Sequence, residues 1–252
     1  MSPWLQLAAA GGEAAGGAHG AEEGAHVVFH LFGLPVHESI VTMWIVMGIL
    51  ILFGVLAARS LHQVPRNRFQ TAVEWAVDAL YGFVADIMGR ERARRFTPLL
   101  GSFFLLILLS NYTGLLPVLP HESWFQPPTS RWGVTGGLAI FTFVAVQAYG
   151  LAHHGLGYFR RFLEGPVFLW PLTVPLAVIE ELIKPFSLSL RLFANIFGGE
   201  AVLSGLLAAM PWLLPAGVMF IEVIAGFVQA LIFTMLSALY IEAATAEFHH
   251  EH

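Results

Sequence analysis

A few charged residues interrupt stretches of this chain that are otherwise apolar. Lys184 and Arg191 fall in one stretch, Glu200 stands near its far end, and Glu222 lies in the next. Arg191 has Leu190, Leu192, Phe193, Ile196 and Phe197 around it, which leaves its guanidinium no short route to water and marks it as a functional charge. An arginine cannot deprotonate at working pH, so it supplies a fixed positive charge and no proton. Lys184 is next to Pro185 and close to Glu180 and Glu181. Snorkelling to an interface and a functional role both stay open for it. Helical geometry sorts the neighbours. Asn195 is four residues after Arg191 and Ser187 four before, so all three share a face. Glu200 is nine residues on and, at about 100° per residue, points to the opposite side. Glu222 and Gln229 are seven apart and share a face of the following segment. Carboxylates inside apolar helices mark proton relays, whereas Asn195 and Gln229 also suit plain interhelical hydrogen bonding.

The elements that hold these residues belong in lipid. Of 252 residues, 57% are hydrophobic and only 12% charged, with a mean hydropathy of +0.71. A soluble domain carries about a quarter charged residues, and a globule this poor in charge would turn wide apolar patches to water. The net charge of −5 offers no basic face to nucleic acid. Cysteine is absent, which excludes disulfides, thiolate metal sites and cysteine nucleophiles. Nothing in the pattern calls for a cofactor, a metal or a bond-making residue. Residues 1–36, biased to Gly, Ala, Glu and His, read as a mobile tail without the layout of a signal peptide.

A membrane-crossing helix needs about 20 mostly apolar residues. Crossings are expected at 40–58, 96–119, 133–152, 167–210 and 213–246. The fourth is too long for a perpendicular crossing and must tilt, break or lie partly along the membrane. Residues 68–89 carry Glu74 and Asp78 at helical spacing among Phe, Trp, Val and Leu, the pattern of an amphipathic helix lying at the interface. The expected fold class is therefore an all-α integral membrane protein in one membrane domain over 37–252. Arg59, Arg66, Arg68, Arg90, Arg92, Arg94 and Arg95 crowd the first loop, with Arg160 and Arg161 on the same side and Arg131 opposite. The positive-inside rule then puts the N-terminus outside and the C-terminus in the cytoplasm.

The stretch KPFSLSLRLFANIFGGE, Lys184 to Glu200, resembles the signature helix of the F-type ATP synthase subunit a family. PRNRFQTAVEW near Pro65, NYTGLLP at Asn111 and VQALIFTMLSALYI at Val228 follow in the family's order, and the similarity runs from about His37 to the end. The resemblance implies a stator subunit in the bacterial plasma membrane, noncatalytic in itself, whose two aqueous half-channels carry protons to and from a rotating ring of c subunits. Its implied partners are that ring, b-type peripheral stalk subunits and the rest of the ATP synthase. Arg191 would face the ring, with Asn195 and Gln229 near it, and Glu200 and Glu222 would line the outer path. The last two helices would form a tilted hairpin against the ring. The sequence departs from the usual motif at Ala194 and Gly198, where glycine and alanine are common, and in having carboxylates at both 200 and 222.

Two other classes compete. An ion-coupled secondary transporter would use Arg191 to hold an anionic substrate, but it should show paired broken helices or internal repeats, and none stands out. A haem protein would want histidines well inside facing spans, whereas His62, His121, His153 and His154 fall at span ends.

Overall fold

The computed structural model describes residues 27–31, 34–60, 68–115, 127–155, 157–158, 167–209 and 213–245. A short antiparallel hairpin comes first, β1 (Val27–Leu31) against β2 (Leu34–His37). These strands lie within the stretch 1–36 expected as a tail and just beyond it. Val27, Val28, Phe29 and Val36 are strand-favouring residues, and their local pairing outweighs the polar bias of the preceding stretch; residues 1–26 lie outside the described part.

Six helices follow: α1 (Glu38–Ser60), α2 (Arg68–Met88), α3 (Arg90–Thr113), α4 (Trp132–His154), α5 (Trp170–Ala209) and α6 (Leu213–Thr245). All but α2 are long and apolar enough to cross a membrane. Helices satisfy their backbone polar groups internally, which is what lipid demands of a spanning segment. The outward side chains are large and apolar: Ile51 is 68% exposed, Leu172 70% and Phe220 68%. Polar residues turn inward instead. Thr142, Thr234, Ser237 and Thr245 are buried and donate to the carbonyls four residues earlier. This reversal of the soluble pattern is a multi-pass membrane protein's solution, with lipid solvating the outside.

Helix α3 starts six residues before the expected crossing at 96. Hydropathy registers Arg90–Arg95 as loop, yet Arg, Glu and Ala are good helix formers. The break falls at Gly89, whose φ of 79° ends α2 and starts α3. The helix stops at Thr113 rather than running on to 119; residues 116–119 lie outside the described part. Helix α2 packs against α3 and α6 through Val84 and Met88, while Trp75 on its far side is 74% exposed.

The core lies where α3, α4, α5 and α6 meet. Leu100, Ile107, Leu192, Ala230 and Phe233 are fully buried there. Phe103 meets Phe233 and Phe141 edge to face at 6.0 and 5.9 Å, and Phe96 meets Tyr149 at 4.9 Å, the geometry aromatic rings prefer. Helix α5 runs unbroken through Pro175 and Pro185 for 40 residues, so of the three outcomes open to the long segment, a break is ruled out.

Candidate functional site: intramembrane charges on α5 and α6

Gly199 on α5 faces Glu222 on α6. A Cβ at position 199 would collide with Glu222 Oε1, so the glycine leaves the space in which the carboxylate lies against the α5 backbone. The next residue, Glu200, is half-buried and lies in the electrostatic field of Glu222 and of Arg131, the residue just before α4. Glu222 Oε1 is buried and makes no hydrogen bond among the described residues. Two acids from different helices therefore share one region, within the field of one cation.

The α6 backbone beside Glu222 is pinned from α3. Asn111 Nδ2 donates to the carbonyl of Gly226 at 3.1 Å, and Tyr112 donates its hydroxyl to the carbonyl of Val223 at 3.2 Å. Asn111 Oδ1 in turn accepts from Thr129 at 3.0 Å. Gly226 allows this approach, since a Cβ there would lie 3.2 Å from that of Asn111. Asn111 is thus a positioning residue for the Glu222 turn, a part that sequence reasoning did not assign to it.

Arg191 lies near the middle of α5 and is exposed on its outward side. It makes no hydrogen bond or ion pair among the described residues, although Tyr240 of α6 lies in its field. Leu190, Phe186 and Phe197, close by in sequence, are also exposed. Ser187 and Asn195 are half-buried. Gln229 on α6 is buried, and its Nε2 has no partner among the described residues. The structure brings Glu200 and Glu222 together and leaves Arg191 unpaired to either of them.

A second polar cluster occupies the other half of α5. Lys184 Nζ forms an ion pair with Glu181 Oε2 at 2.8 Å, and Gln147 of α4 donates to Glu181 Oε1 at 3.0 Å. The ammonium also sits 5.7 Å from the Tyr240 ring centre, within reach of cation–π attraction. Lys184 is held by its neighbours instead of reaching for water. A cavity of about 330 Å³ opens at Gln147, Tyr158 and Glu181. Glu181 and Gln147 are the pair sequence reasoning missed. Glu181 was visible three residues before Lys184, but Gln147 is remote in sequence. Closer to Arg191, buried Ser189 accepts from the Trp132 indole of α4 at 3.0 Å.

Five apolar crossings, an exposed central cation and paired internal carboxylates define a multi-pass membrane protein with ionisable groups inside its membrane domain. The family described as ATP synthase A chain matches residues 40–242. Similar proteins are the ATP synthase subunit a of Moorella thermoacetica, 40% identical over 89% of this chain and 96% of the relative, and that of Trichlorobacter lovleyi, 36% identical over 84% and 89%. The ATP synthase subunit a of Gloeobacter violaceus is 34% identical over 92% and 93%. The chain belongs to the ATP synthase subunit a family.

Proposed function

We propose that this chain is the stator subunit of an F-type ATP synthase in a bacterial plasma membrane, passing protons through two half-channels to and from carboxylates on a rotating c ring. One observation carries the reading: Arg191 is exposed near the middle of an apolar helix and makes no hydrogen bond or ion pair among the described residues. Leaving an arginine in hydrocarbon costs about 2.5–3.5 kcal/mol or more, so an anion on a neighbouring chain is the natural partner. The Glu200–Glu222 region, with its unpartnered buried oxygen, suits a water-accessible path from the outer side. A proton passing these acids neutralises a ring carboxylate, which can then turn into lipid. On the inner side the carboxylate loses its proton, and its charge is drawn to Arg191. Because arginine holds its proton, it blocks direct leakage between the two paths.

Asn195, Ser187 and Gln229 are the polar side chains proposed to flank the ring-facing surface. The N-terminus lies outside and the C-terminus in the cytoplasm, by the arginine distribution. Peripheral stalk subunits hold the chain still, and bond-making steps on ATP belong to other subunits. The test is ATP-driven proton pumping by vesicles carrying the whole complex with Arg191→Ala. Loss of pumping with normal assembly is the expected outcome; retained pumping overturns the assignment and reopens the transporter reading.

A further inference from the structure

Helix α5 carries two cations on nearly the same face. Seven residues separate Lys184 from Arg191, which at about 3.6 residues per turn is two turns and a small angular offset. A ring carboxylate drawn to one such cation would be drawn to the other, and two attractors in series would hold it back. The structure treats the two cations differently. Glu181, one turn before Lys184, takes the ammonium at 2.8 Å and is itself fixed by Gln147 at 3.0 Å. The pair is sheltered, with the Lys184 side chain 26% exposed and the Glu181 side chain 9%. Tyr240 packs against Lys184 and lies in the fields of both Arg191 and Glu181, which places the two α5 charges around one α6 residue. Arg191 has no such counter-ion among the described residues.

We infer that Glu181 is a counter-ion that cancels the charge of Lys184, so that Arg191 is the one net cation, among the described residues of α5, that the passing ring carboxylate meets on this face. This rests on the proposed stator function and assigns Glu181 a positioning role, acting through Lys184 and making no contact with a proton in transit. The stronger the cancellation, the narrower the zone in which an ionised ring carboxylate is held.

The experiment compares Glu181→Gln, Lys184→Met and the double variant Glu181→Gln/Lys184→Met with wild type. All are assembled in the whole complex, and ATP-driven proton pumping is read per assembled complex. Removing one member of a sheltered ion pair leaves the other uncompensated, while replacing both with neutral groups is far milder. Glu181→Gln is therefore expected to lower pumping about tenfold, and the double variant to recover to within about threefold of wild type. If Glu181→Gln fails to assemble, the double variant decides: recovery of assembly and pumping supports the counter-ion role. A double variant as impaired as Glu181→Gln overturns it, since a glutamate that relays protons itself or only packs helices is not rescued by losing Lys184. Wild-type pumping in Glu181→Gln also overturns it. An Arg191→Ala control separates the two ideas: if that variant pumps, the stator function itself falls, and if it is dead while Glu181→Gln is normal, only the counter-ion role falls.

Discussion

Two charged regions along α5 show opposite treatments of buried polarity. In the half before Arg191, Glu181 has Lys184 on one oxygen and Gln147 on the other. In the half after it, Glu200 and Glu222 share a region, yet Glu222 Oε1 finds no donor among the described residues. A satisfied cluster inside a membrane is fixed architecture, because each member's alternative is an unpaired charge in hydrocarbon. An unsatisfied acid is in a position to exchange partners. The same helix thus carries a closed electrostatic unit and an open one, with an exposed arginine between them.

The largest expected effect breaks the boundary between the two regions. Arg191→Ala removes the fixed charge proposed to hold the ionised ring carboxylate and to block leakage, and should abolish ATP-driven pumping while leaving the complex assembled. Next, Gly199→Val should displace Glu222 from the α5 backbone, and Glu222→Gln should remove its titration outright. Each is expected to slow pumping about tenfold, below the roughly 10²–10⁴-fold of a lone general acid–base group because Glu200 remains on the same path, with the two together little worse than one. An additive loss would show that Gly199 acts elsewhere. Gln147→Leu loosens the closed unit without removing a charge, so a decrease of about threefold is expected, in line with the roughly 0.6 kcal/mol typical of an interhelical hydrogen bond in membranes. A tenfold loss would mean that Gln147 does more than fix Glu181. The last effect falls on stability and leaves pumping by the assembled complex nearly untouched. Asn111→Leu forfeits the bonds to Gly226 and Thr129 and should lower unfolding stability in detergent by about 0.6–2 kcal/mol. An unchanged transition would remove Asn111 as the pin of the Glu222 turn.

The crossings were readable from hydropathy because lipid imposes the same demand on every outward residue. Where hydropathy failed, the cause is local. The start of α3 is set by a positive-φ glycine and by helix-forming arginines, neither of which registers as apolar. The hairpin over residues 27–37 rests on short-range strand pairing within a polar, glycine-rich setting. Arg191 stood out by its cost, and Glu200 by its angle to Arg191. Lys184 could not be resolved from sequence, since its fate depends on Gln147 from another helix and on Tyr240 from a third. Asn111 was readable as part of a motif, but its task needed the packing of α3 on α6.

The unbroken length of α5 has a consequence for timing. A helix of 40 residues is about 60 Å long, and the hydrocarbon it crosses is about 30 Å thick. Kept within the hydrocarbon over that length the helix leans far over, so that steps along its axis become mostly sideways displacement and only partly change in depth. For a partner gliding past in the membrane plane, the Lys184–Glu181 pair and then Arg191, nearly on one face, are met one after the other. Order along the chain becomes order in time, and direction of travel is written into which charge comes first.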